Sequence, residues 1–209
     1  MQAGQQPATA KVGVAVTIDP EDEQRGQLYR LLAQWLAAPP DQALLDLTAG
    51  LKGNDTPLGR GLAALAERAA RTTPAAAADE YGDLFIGIGR GELVPYASYY
   101  LTGFLNEKPL ARLRGEMARL GIARADHVKE PEDHIAALCE MMAGLIEGSF
   151  GDPAPLSTQR RFFDGHLAAW APQFFADLEG ARAAVLYAPV GTIGQTFMVI
   201  EATAFAMCD

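Results

Sequence analysis

The 209-residue chain has a formal net charge of −9, and 49% of its residues are hydrophobic while 21% are charged. This balance is ordinary for a globular protein of one large or two small domains with a buried core. The negative charge would repel duplex nucleic acid and attract a basic peptide. No run of about 18 apolar residues is present, so no membrane-spanning helix is expected.

The cysteines and the N-terminal residues bear on where the protein is expected to be located. Cys139 and Cys208 are too few for a disulfide framework, so a reducing compartment is the simpler expectation. Residues 1–18 lack the basic start of a signal peptide, and Lys11 and Gly13 interrupt their apolar residues. We therefore expect a disordered tail over 1–18 and a cytoplasmic protein.

The first part of the chain predicts a series of helices. Asp19 suits a capping position, Pro20 suits the first helical position, and three acidic residues follow them. This pattern predicts a helix that ends at Pro39. Further helices are expected from Asp41 to Gly50, from Pro57 to Arg71, from Pro74 to about Phe85, from about Pro95, and from Glu107 to Leu120 with Gly121 as the residue that ends it.

The second part predicts a long helix from Glu130 to about Gly148. Two or three more helices follow, with breaks near Ala171 and Ala188. The alternation of apolar and polar residues that is typical of strands is missing. We therefore predict an all-α fold of about nine to eleven helices.

A polar linker over 122–129 is the best position for a hinge in this chain. It divides the expected helices into an N-terminal subdomain, 19–121, and a C-terminal subdomain, 130–209. The sequence predicts two helical subdomains joined by this hinge.

A glycine-rich stretch, GIGRGELVPYASYY at 87–100, interrupts the helices. Gly87, Gly89 and Gly91 suit a tight turn that needs positive φ, and Pro95 suits the start of a short helix. The stretch lacks the third glycine, the preceding strand and the Lys-Ser/Thr pair of phosphate-binding loops. A nucleotide-binding switch or enzyme that uses the loop 87–91 remains an alternative.

The stretch KEPEDHIAALCEMM at 129–142 raises the question of a metal or catalytic site. His134 and Cys139 are five residues apart and lie on different faces of a helix, and no HExxH or paired Glu-x-x-His pattern exists. Cys139 lies between Leu138 and Met141 on an apolar face, which is typical of a core residue. We predict neither a metal site nor a catalytic nucleophile here.

The acidic residues of this stretch also fit the start of a helix. Glu130 can cap it, Pro131 suits the first helical position, and Glu132 and Asp133 lie in the first turn, where each negative charge stabilises by about 0.3–1 kcal/mol. This interpretation leaves His134 unexplained.

Three stretches in this order resemble the TorD/DmsD family of cytoplasmic chaperones, which assist the maturation of molybdenum-containing redox enzymes. EYGDLFIGIGRGELVPYASYYLTG at 80–103 is similar to the family's Glu-x-x-x-Leu-Phe…Gly-x-Gly…Pro-Tyr-x-Ser segment. PLARLRGEMARLGIAR at 109–124 is similar to its helix ending in Leu-Gly-Ile, and EPEDHIAALCEMM at 130–142 resembles its Glu-Pro-x-Asp-His stretch. One departure is Ile88, where the family often has proline.

The resemblance implies an all-helical fold whose two subdomains are joined near the Glu-Pro-x-Asp-His hinge, as a monomer or a domain-swapped homodimer. It implies a protein without catalysis and without a cofactor of its own, which binds the twin-arginine leader of a molybdoenzyme subunit until the cofactor is inserted. Gly191, Gly194, Phe197 and Glu201 are similar to the subgroup found with formate dehydrogenases.

A leader of this kind has two arginines followed by an apolar stretch, so its binding site needs acidic groups beside an apolar groove. His134 is expected to hold Asp133 or the linker in place, and its protonation near neutral pH is expected to tune release of the leader. A helical scaffold that binds the folded subunit and ignores the leader is the other alternative. The candidate peptide-binding residues are Leu84, Phe85, Tyr96 and Tyr99 on the apolar side, and Glu130, Glu132, Asp133 and His134 on the acidic side.

Overall fold

The computed structural model describes residues 18–87, 91–125 and 128–207. Within these ranges the protein has ten α-helices and no β-sheet, which confirms the predicted all-α class and helix number. The predicted tail lies, apart from residue 18, outside the described residues. The helices are α1 (Pro20–Ala37), α2 (Gln42–Ala49), α3 (Pro57–Ala69), α4 (Pro74–Tyr81), α5 (Ala97–Thr102), α6 (Lys108–Leu120), α7 (Ile135–Glu147), α8 (Leu156–His166), α9 (Ala171–Glu179) and α10 (Ala188–Ala206).

Short-range capping explains where most of the early helices begin. The Asp19 carboxylate accepts a hydrogen bond from the backbone N–H of Glu21 at 2.9 Å, and Asp41 accepts one from Leu44 at 2.9 Å. Gly121 ends α6 with a φ of 70°, a conformation that costs glycine little. These local signals confirm the predicted starts of α1 and α2 and the end of α6.

The buried core joins helices from both sides of the predicted hinge. The most extensive helix packing is between α1 and α7, and α10 packs against α9 and α3. Trp35 on α1 meets the Tyr187 ring at 5.6 Å, and Tyr29 meets Phe197 on α10 at 4.7 Å. The division into two subdomains at 122–129 remains a prediction, while one shared core is what the structure describes.

Two glycines allow α9 and α10 to approach closely. A Cβ on Gly191 would lie 2.4 Å from the Glu179 backbone nitrogen, and one on Gly194 would lie 2.1 Å from the Phe175 ring. Any side chain at either position would force the helices apart, so the structure gives these glycines a packing role.

A buried ion pair connects α1 to α10. The Arg25 guanidinium donates to both Glu201 carboxylate oxygens, with Nε at 2.7 Å from Oε1 and Nη2 at 2.9 Å from Oε2. The hydroxyl of Tyr29 also donates to Glu201, at 3.0 Å, and Arg25 Nη1 donates to Gln159 on α8 at 3.0 Å. One carboxylate therefore satisfies donors from two positions of α1.

None of the described helices combines the length and the hydrophobicity needed to cross a membrane.

Candidate functional site

A turn closed by the hydrogen bond from the His134 N–H to the Pro131 carbonyl, at 3.1 Å, precedes α7, which starts only after it. The first residue of α7 is Ile135, and His134 caps it by accepting a hydrogen bond at Nδ1 from the Ala136 N–H at 3.1 Å. The expectations that Glu130 caps this helix, that Pro131 takes its first helical position and that Glu132 and Asp133 lie in its first turn are therefore wrong.

A backbone bridge to the stretch before α5 explains this late start. The Ala97 N–H donates to the Asp133 carbonyl at 3.0 Å, and the Ile135 N–H donates to the Pro95 carbonyl at 2.9 Å. Tyr96 and His134 form the antiparallel bridge between them. This pairing needs an extended backbone at His134, whose ψ is 139°, so the helix cannot continue back to Glu130.

Asp133 lies inside the protein, where it holds the first turn of α5. Its Oδ2 accepts hydrogen bonds from the Ser98 N–H at 2.8 Å and from the Ser98 hydroxyl at 2.5 Å. Its Oδ1 is also buried and has no hydrogen-bond partner within the described residues. The negative charge at the N-terminal end of α5 is favourable for the helix dipole. Asp133 thus joins the two motifs that the sequence singled out separately.

His134 is buried against the ring of Tyr96, with the two ring centroids 5.0 Å apart. Burial lowers the pKa of the His134 imidazole to about 4, although the neighbouring carboxylates of Glu130 and Asp133 act in the opposite direction. The imidazole is therefore neutral at neutral pH. The expectation that its protonation near neutral pH tunes leader release is wrong, because the buried ring resists the charge.

This pKa predicts a loss of stability in acid. The unfolded chain takes up the His134 proton near pH 6.5, whereas the folded protein takes it up only near pH 4. Stability is therefore fully present above pH 6.5 and falls as the pH drops to about 4, by roughly 3 kcal/mol from this group. Urea unfolding at pH 7 and pH 4.5 measures the change. His134→Asn, which keeps a capping acceptor but does not titrate, should show a clearly smaller loss; equal losses would contradict the assignment.

Glu130 presents a carboxylate at the surface beside Tyr96. The Tyr96 hydroxyl donates to Glu130 Oε2, and the Tyr96 ring is half-buried. Burial and this hydrogen bond both raise the pKa of the Tyr96 phenol, so it remains a donor at all ordinary pH values. Of the predicted acidic residues, Glu130 has its side chain on the surface.

Glu132 is largely buried and already paired with arginines of the same chain. Arg114 on α6 donates from Nε at 3.0 Å and from Nη2 at 2.8 Å, and both bonds end on Oε2. The Nε of Arg124 lies 3.9 Å from Oε1. Burial acts to raise the pKa of the Glu132 carboxyl, but the arginines outweigh it, so the pKa lies below its ordinary value and the group stays ionised.

The predicted apolar residues do not form one open wall. Leu84 is buried in the core, on the π-helical turn Gly82–Ile86 that follows α4. Phe85 is half-buried, and its ring packs against Tyr81 at 4.9 Å and Tyr187 at 5.7 Å. Tyr99 is half-buried on α5. The structure therefore places Leu84 away from any surface a peptide can reach.

The structure describes the glycine-rich stretch on either side of residues 88–90, and the positive φ that its sequence predicts is found at Gly87. Gly87 has a φ of 59° and ends the π-helical turn. A Cβ on Gly91 would lie 2.5 Å from the Phe85 carbonyl carbon, so this glycine is needed for close backbone packing. Gly89 lies outside the described residues. Pro95 is buried and precedes α5, which starts at Ala97 and not at Pro95.

An exposed apolar segment at the end of α5 was missed by the sequence interpretation. Leu101, Phe104 and Leu105 are all exposed, with Phe104 exposed to 70% of its full area. We refer to these three residues as the apolar segment. Gly103 ends α5 with a φ of 82°. Connections between helices are usually polar, so the large apolar residues on both sides of this glycine in the sequence could have indicated an exposed apolar surface.

The described residues contain no group of histidine, cysteine, aspartate and glutamate that could hold a metal ion. Cys139 is fully buried, and burial raises the pKa of its thiol, which disfavours the reactive thiolate. His127 and Cys208 lie outside the described residues.

Comparison with known proteins identifies relatives over more than half of the chain. A family model described as nitrate reductase delta subunit matches residues 51–176. The chaperone protein TorD of Vibrio cholerae serotype O1 (El Tor Inaba N16961) is 31% identical over 128 residues, which is 58% of this chain and 58% of that protein. The chaperone protein TorD of Aliivibrio fischeri (ES114) is 33% identical over 105 residues, 46% of this chain and 48% of that protein. The chain thus aligns with less than two thirds of the length of these relatives.

A solved structure shares the fold. A redox enzyme maturation protein from Archaeoglobus fulgidus superposes with a TM-score of 0.59, at 22% identity, over 90% of this chain and 99% of that one. The order of the motifs, the helical fold and the family match agree, and the resemblance to TorD chaperones is confirmed. The chain belongs to the nitrate reductase delta subunit family, to which the TorD-type maturation chaperones belong.

Proposed function

We propose that this protein is a cytoplasmic maturation chaperone that binds the twin-arginine leader of a molybdoenzyme subunit, with formate dehydrogenase as the first client to test. The observation that carries the proposal is the match of residues 51–176 to the family model, together with the similarity to TorD chaperones. In this proposal the protein catalyses no reaction and holds its client until cofactor insertion is complete.

The surface around α5 supports this proposal. The Glu130 carboxylate lies at the beginning of α5, beside Tyr96, and the apolar segment lies at its end. The six residues of α5 lie between Tyr96 and Phe104, and they span a length of about 9 Å. A leader whose arginines contact Glu130 can therefore place the apolar residues that follow against Phe104. The net charge of −9 favours the encounter with a basic peptide.

Calorimetric titration with synthetic leaders, beginning with one from a formate dehydrogenase catalytic subunit, tests the proposal. We expect micromolar or tighter binding that weakens with added salt and with replacement of the leader arginines by glutamine. Glu130→Gln should weaken binding by up to about fivefold, since an exposed ion pair contributes up to about 1 kcal/mol. Glu67→Gln, which removes the same charge from the exposed face of α3, is the matched control and should have little effect.

Two other outcomes would replace the proposal. Capture of a client subunit that lacks its leader, by a folded protein that binds no leader in the panel, would establish the scaffold function. Saturable GTP or ATP binding that is lost when Gly89 is replaced by a bulkier residue would establish the nucleotide-binding function.

A further inference from the structure

Two arginines of the chain converge on one largely buried carboxylate of the candidate site. Arg114 comes from α6 and Arg124 from the linker that follows it, and both lie within 4.0 Å of Glu132. A pair of guanidinium groups is also what a twin-arginine leader brings. The protein's own arginines therefore present to Glu132 the same guanidinium groups that the leader is expected to present.

The geometry of this internal pair is incomplete. Both hydrogen bonds from Arg114 end on Oε2 of Glu132, so the two parallel bonds that join a guanidinium to both carboxylate oxygens are not formed. Oε1 faces Arg124 at 3.9 Å, which is an ion-pair distance and not a hydrogen-bond distance. A guanidinium that takes the place of Arg114 is able to donate one hydrogen bond to each carboxylate oxygen, which is the stronger of the two arrangements.

We propose that Arg114 and Arg124 compete with the leader arginines for Glu132, an inference that rests on the proposed function. Leader binding exchanges one guanidinium for another, so the buried carboxylate is never left without a cation. Arg114 is 54% exposed, and its released side chain can return to water at little cost. The internal arginines therefore weaken binding of any single cation and favour a leader whose paired arginines form the better geometry.

The exchange predicts that removal of an internal arginine strengthens leader binding. Arg114→Gln, and the double variant Arg114→Gln/Arg124→Gln, should bind the leader about two- to fivefold more tightly than the unaltered protein. A leader with both arginines replaced by glutamine should show no such gain. Titration calorimetry of both leaders against each variant measures the difference.

Arg119→Gln is the matched control. Arg119 also lies on α6, is exposed, and pairs with a buried carboxylate, that of Glu116, so the change of net charge and the type of lost contact are the same. It lies outside the proposed site and should leave leader affinity within error. A gain in Arg119→Gln equal to that in Arg114→Gln would attribute the effect to net charge and would overturn the proposal.

The remaining outcomes are also decisive. Unchanged or weaker leader binding by folded Arg114→Gln would show that Arg114 is only a structural partner of Glu132. It would overturn the proposed competition for Glu132 but not the proposed leader-binding function. If Arg114→Gln does not fold, Arg114→Lys keeps the charge, loses the guanidinium geometry and should still bind the leader more tightly. Absence of leader binding by the unaltered protein would overturn the proposed function and this inference together.

Discussion

Replacement of Glu201 by alanine is expected to lower the free energy of unfolding by roughly 3–5 kcal/mol. The carboxylate of Glu201 is buried, and it accepts from Arg25 at 2.7 and 2.9 Å and from the Tyr29 hydroxyl at 3.0 Å. Its removal leaves Nε and Nη2 of the partly buried Arg25 guanidinium and the buried Tyr29 phenol without their common acceptor, while Arg25 Nη1 keeps its contacts with Asp22 and Gln159. Urea unfolding at pH 7 measures the loss.

Two comparisons make this prediction specific to the buried pair. Glu67→Ala breaks the exposed pair of Glu67 with Arg71, whose atoms lie 3.0 Å apart, and should cost at most about 0.5 kcal/mol. The double variant Arg25→Met/Glu201→Leu replaces the buried pair with apolar side chains and should recover most of the lost stability. A loss below about 1 kcal/mol in Glu201→Ala would show that water reaches Arg25 and solvates it.

Asp133→Ala is expected to lower the free energy of unfolding by roughly 2–4 kcal/mol, since it removes hydrogen bonds to an ionised acceptor and leaves buried donors unpaired. The affected donors are the N–H and the hydroxyl of Ser98 at the start of α5. Ser98→Ala removes the hydroxyl alone and should cost about 1 kcal/mol. Similar losses in the two variants would show that the carboxylate contributes little beyond the hydroxyl contact.

The same position tests whether the Asp-His pair contacts the leader. Asp133→Asn/His134→Asn keeps the side-chain shape at 133 and a capping acceptor at 134, so the protein is expected to fold. The site prediction requires weaker leader binding in this double variant. Unchanged affinity would make Asp133 and His134 residues that hold α5 and α7 together without touching the leader.

The boundaries of the helices show where sequence reasoning succeeds. Asp19, Asp41 and Gly121 act within three or four residues of their own position, so their effects can be read from the local sequence. The start of α7 depends instead on backbone hydrogen bonds to Pro95 and Ala97. No local pattern in EPEDH carries information about that distant partner, and the acidic residues therefore predicted a helix start that does not form.

The candidate site shows the same limit at the level of side chains. Glu130 and Glu132 are two residues apart in the same turn, yet one is exposed and the other is paired with Arg114. Leu84 and Phe104 are both large apolar residues, yet the first is a buried residue of the π-helical turn and the second is exposed. Residue type alone does not tell which of these side chains is buried, because burial depends on the parts of the chain that pack against each side chain.

The sequence by itself determined the helical class, most helix ends and the family, since these depend on short-range capping, on periodicity and on motifs that can be read in chain order. Tertiary structure alone decided that Asp133 joins α5 to α7, that His134 is neutral and buried, and that Glu132 already has arginine partners. The physical reason is that desolvation and ion pairing depend on atoms brought together from distant parts of the chain.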